Sequence, residues 1–144
     1  MKTFTLDEAQ SLLPVLESLL KRAVEAKQAA EVIQEELQEL SRRIFLSGGM
    51  HLDPSFVGRR KAALDVQVQR AKDAVAEIDS IGVQVKDLDT GLLDFPASID
   101  GEIVLLCWKM GEARIEHWHT VEAGFRGRQP IDDRFRSPGS ERPN

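Results

Sequence analysis

Apolar residues recur at Leu16, Leu19, Ala23, Ala26, Ala30, Ile33, Leu37, Leu40 and Ile44, in steps that alternate between three and four. This heptad spacing predicts a long helix whose seam lies along a second helix at a shallow left-handed crossing, and alanines in the seam let the two axes approach closely. The start is marked upstream, where Thr5 and Glu8 form a Thr-x-x-Glu capping box with Phe4 just before it. Pro14 lacks an amide and fits best in a first turn, so the pattern predicts a short helix, a kink near Ser11 and then the long helix. Ser47-Gly48-Gly49 supplies the stop. Asp53-Pro54 is a cap followed by a first-turn proline, and the helix it opens carries Val57, Leu64, Val68, Ala71, Val75 and Ile78 before Gly82 closes it. A short connection leaves the two helices little choice but to fold back, which predicts a coiled-coil-like antiparallel hairpin over residues 1–82.

After Gly82 the period changes. Val83 and Val85 alternate with Gln84 and Lys86, Leu92 to Ala97 gives a second strand, and Asp100-Gly101 is a two-residue hairpin turn. Ile103 to Trp108 is apolar on both faces, as in a central strand covered twice, so helix is expected on one side and other material, such as a partner chain, on the second. Gly111-Glu112 turns the chain into a last strand, Arg114 to His119. The fold class is therefore α+β: a helical hairpin with a small, mainly antiparallel sheet over residues 83–131 packed on its base within the same domain, followed by a mobile polar tail over 132–144.

Composition narrows the classes. Hydrophobic residues make up 42% and charged residues 30% of the 144, which is globular rather than disordered. The absence of a long apolar run or a signal-like start predicts a cytoplasmic protein with no membrane association. A single cysteine rules out an internal disulfide framework, and a net charge of -5 argues against nucleic acid as a partner. Arg42, Arg43, Arg59, Arg60 and Lys61 cluster near the hairpin tip as a solvated basic face. The length of the hairpin and the two-faced central strand favour a homo-oligomer, with a dimer first.

Candidate chemistry falls between Asp94 and Arg128. A two-residue turn at Asp100-Gly101 sets Asp94 opposite Cys107 on one face. The Gly111 turn leaves two registers open, and the longer one also brings His117 opposite Cys107. His117 and His119 share a face, and two imidazoles at i and i+2 with Cys107 are ligand types suited to a divalent metal such as zinc, with Asp94 or Glu112 completing the shell. Against that, an imidazole can equally satisfy buried backbone groups, and a cysteine in an apolar strand is ordinarily an inert thiol. Asp94, Trp108, Glu112, His119, Arg126 and Arg128 form the wider candidate ligand-binding set, in which the arginines suit a carboxylate or phosphate.

The runs Asp94-Phe95-Pro96, Leu106-Cys107-Trp108, Gly111-Glu112, Trp118-His119, Gly124-Phe125 and Arg128-Gln129-Pro130, with Thr5-Leu6-Asp7-Glu8-Ala9 and Leu12-Leu13-Pro14 near the start, resemble the signature of a prokaryotic family, domain of unknown function 2203. The resemblance implies a small cytoplasmic protein without an assigned activity. It includes Trp118-His119 without requiring His117, and so moves weight to Glu112, His119 and Arg128. The function expected is a non-enzymatic binding or assembly module with a small-ligand or metal pocket on the sheet; the alternative is a small enzyme, metal-assisted, with Glu112 and His119 as acid and base.

Overall fold

The computed structural model describes residues 2–48 and 53–136. Helix α1 (Leu6–Leu46) starts at the expected box: Thr5 N donates to Glu8 Oε1 at 2.8 Å and Glu8 N to Thr5 Oγ1 at 3.1 Å. The kinked pair of helices expected around Ser11 is corrected to one continuous helix with Pro14 inside it. A proline forfeits one bond to the carbonyl four residues earlier, and the burial of Ala9, Leu13 and Leu16 holds the turns on either side. Helix α2 (Pro54–Ile81) is capped by Asp53, whose Oδ1 accepts from Ser55 N at 2.9 Å, and ends at Gly82 with φ 103°. Gly48 takes φ 73° after α1, while Gly49 lies outside the described residues. Among the described residues no helix is long and apolar enough to cross a membrane.

The chain forms two compact units, and the division falls inside both helices. Arg22–Ala74 is the helical unit, in which Ala23, Ala26, Ala30, Ile33 and Ala74 are buried and Glu36 Oε2 accepts from Arg60 Nη2 across the hairpin at 2.8 Å. The seam loosens toward the tip: Leu37, Leu40, Val57 and Leu64 are half-buried, and Val68, expected in the seam, is exposed.

The other unit joins Met1–Lys21 to Val75–Asn144. Here α1 buries Leu13, Leu16, Leu19 and Leu20, a stripe wider than a coiled-coil seam, as a helix facing more than one neighbour requires. The sheet is wholly antiparallel in the order β1 (Gln84–Asp87), β2 (Leu92–Ile99), β3 (Glu102–Lys109), β4 (His117–Thr120), β5 (Gln129–Pro130). Asp100 and Gly101, with φ 53° and 81°, make the two-residue turn between β2 and β3. The last long strand starts later than expected because the chain from Gly111 to Glu116 bonds elsewhere: Ile115 N donates to Gln10 Oε1 at 2.9 Å on α1. The short β5, unmarked by any periodicity, pairs Gln129 with Trp118 and Pro130 with His117.

Other parts of this unit meet both sheet faces, the second only in part, since Ile103 on it is 40% exposed. On one, Phe95 meets Phe4 edge to face at 5.9 Å, Phe4 N donates to Pro96 O at 2.7 Å, and Trp118 lies against Phe135 at 5.4 Å. The second face, for which a partner chain was one expectation, is met by the chain's own segment after β4, whose Val121, Gly124 and Phe125 wall a pocket with Asp94, Cys107 and His119.

Candidate metal centre

Strand alternation gives Asp94, Cys107, His117 and His119 one face and Phe95, Leu106, Trp108 and Trp118 the other. The register pairs Asp94 with Cys107 and Cys107 with His117, the arrangement of the longer Gly111 turn. Side chains then sort differently from Cα partners. His117 faces Glu112, with Nδ1 3.8 Å from its Oε2, whereas His119 reaches diagonally across β3 to Asp94, Nε2 to Oδ1 3.1 Å.

Asp94, Cys107 and His119 are all buried, and one donor atom from each lies within 4.8 Å of the others. Tetrahedral zinc with bonds of about 2.0 to 2.3 Å separates its ligand atoms by about 3.3 to 3.8 Å, a spacing compatible with three donor atoms that all lie within 4.8 Å of one another. His119 Nδ1 is 2.8 Å from Thr120 O, and a carbonyl only accepts, so Nδ1 carries a proton. Nε2 therefore faces the Asp94 carboxylate with either a second proton or a cation between them, since two lone pairs do not face each other at 3.1 Å. An imidazole held at one nitrogen by a backbone carbonyl while the other addresses a metal is the usual outer-shell arrangement of a ligating histidine.

The Cys107 thiol is pushed up to about 12, chiefly by burial and next by the Asp94 carboxylate, with Arg128 acting in the opposite sense. Without a metal it is a neutral thiol beside the Asp94 carboxylate. A metal ion would replace that proton by a metal–sulfur bond. The pocket over the group has a volume of about 260 Å³ and is lined by Leu92, Leu105, Val121 and Phe125, with Lys86 and Asp87 from β1. Sequence patterning did not single out Lys86, whose alternation with Val85 carried only strand information.

The other candidates have separate places. Glu112 Oε1 accepts from Lys109 N at 2.7 Å, and both its carboxylate oxygens accept from Arg128 Nη2 at 2.9 Å. Arg128 also lies 4.7 Å from the centre of the Phe125 ring, so the pair ties the segment after β4 to the Gly111 turn. Trp108 is core on the opposite face, its Nε1 donating to Glu112 O at 2.9 Å, and Arg126 is exposed on the 3-10 turn Phe125–Gly127.

Fold and site together define a class: an α+β protein in which a helix-backed antiparallel sheet holds a buried Asp–Cys–His group under a small pocket. The chain belongs to the family described as uncharacterized conserved protein (DUF2203), whose model matches residues 2–131. No curated protein and no solved structure matches it.

Proposed function

We propose that this protein is a binding module whose sheet pocket holds a divalent metal ion of the zinc class on Asp94 Oδ, Cys107 Sγ and His119 Nε2. The observation that carries it is the convergence of three different zinc-type donors, all buried, on one point beneath a pocket. A protonated network explains the hydrogen bonds of the metal-free group, but it leaves a carboxylate, a thiol and an imidazole buried together with no gain in stability over apolar packing. A reducing cytoplasm suits this reading, because it keeps a lone thiol available as a ligand.

The test is elemental analysis of protein purified without chelator, alongside Cys107→Ser, Asp94→Asn and His119→Gln. About one zinc per chain is expected in the parent, with loss in each variant. Cys107→Ser is nearly isosteric, so it should lose metal while the stripped proteins melt within a few degrees of each other. Parent protein that neither carries zinc nor takes it up from solution refutes the proposal.

A further inference from the structure

We infer that the pocket over Asp94, Cys107 and His119 admits a small monocarboxylate with a short apolar chain, which takes the exchangeable fourth position on the metal with Lys86 as its counter-charge. This rests on the metal reading above and names the ligand class of the same site. Three protein donors leave a tetrahedral ion one open position. Asp87 lines the pocket but is not among the converging donors, and its Oδ1 accepts from Asp89 N at 3.0 Å in the turn after β1.

Charge selects the ligand. A dication bound by the Asp94 carboxylate, the Cys107 thiolate and a neutral imidazole is a centre of zero net charge, so an anion placed on it needs a cation from the wall. Lys86 supplies one: it is exposed at the pocket and has no ion-pair partner among the described residues. The Asp87 carboxylate in the same wall offsets part of that charge and repels a phosphate dianion more than a monoanion, so the pair favours a singly charged ligand. Shape and polarity select the rest. At about 260 Å³ the pocket lies below the usual range for larger organic ligands, which starts at about 300 Å³. Leu92, Leu105, Val121 and Phe125 offer the ligand's body an apolar wall that a hydrated inorganic ion would not use.

The full-length protein is loaded with cobalt(II) in place of zinc, and its visible absorption is followed during titration with acetate, butyrate and inorganic phosphate at constant ionic strength. Cobalt at one per chain with a saturable spectral shift is expected, and butyrate should bind about tenfold more tightly than acetate because it buries two more methylenes. Lys86→Met should weaken butyrate up to about fivefold, as for an exposed ion pair, and Phe125→Ala should narrow the preference for butyrate over acetate. Bound cobalt whose spectrum ignores the carboxylates, or responds more strongly to phosphate, overturns this inference and leaves the metal reading standing. Failure to bind cobalt or zinc at all overturns both.

Discussion

Cys107 shows how one side chain sets a pH limit on this fold. Burial and Asp94 raise its thiol from 9.0 to about 12. A group whose folded value is raised contributes its full stabilisation below the unfolded value and loses it as pH climbs toward the folded one. Metal-free protein should therefore lose stability between about pH 9 and pH 12, with a limiting slope from this thiol of about 1.4 kcal/mol per pH unit. Urea unfolding of wild type and Cys107→Ala across that range checks it, and the variant should show a shallower alkaline slope. The chain has no tyrosine, so thiolate absorbance can be followed without tyrosinate beneath it. Bound metal should reverse the trend, because it takes the thiolate and its affinity rises with pH. At this scale the sequence was legible in part. The Asp100-Gly101 turn fixed Asp94 opposite Cys107, and strand alternation put both histidines on that face. Which histidine reaches Asp94 was not legible, because it depends on a diagonal reach across β3 that register alone does not give.

Among the elements, helix starts were the most legible, because caps are local chemistry: the Thr5–Glu8 box and the Asp53 cap stand where their residues placed them. The late start of β4 was hidden because its cause, the bond from Ile115 N to Gln10 Oε1, joins residues 105 apart. The turn between β1 and β2 rests on Gly91, which has φ 71° and whose added Cβ would lie 2.7 Å from Met110 Cβ. Met110 N donates to Gly91 O at 2.8 Å, so the glycine cannot move away without breaking that bond. Gly91→Ala should cost about 1 to 3 kcal/mol in strain and overpacking, measured by chemical unfolding. Unchanged stability would mean that the turn relaxes freely.

For the whole molecule, one aromatic carries the packed chain past β5. Residues 132–144 read as a polar tail, yet Asp133–Phe135 forms a 3-10 turn that buries Phe135 against Trp118. A lone apolar residue without periodic neighbours gives no pattern signal, so this docking was not legible. Phe135→Ala should lower stability by about 3 kcal/mol, while a chain ending at Arg136 should melt like the full-length protein, because the sequence beyond has no apolar periodicity. Thermal unfolding of the two variants checks both halves.

The link from His119 to Asp94 has a consequence for how the sheet assembles. Its ends come from β2 and β4, and β3 lies between them, so it joins strands that share no backbone hydrogen bond. A one-residue slip of β2 or β4 against β3 would turn either Asp94 or His119 to the opposite face and leave its partner buried and uncompensated. The polar group at the centre of an apolar sheet thus works as a key that accepts one alignment of three strands. Misaligned sheets are penalised before any ligand arrives, and the cavity exists only where the alignment is right.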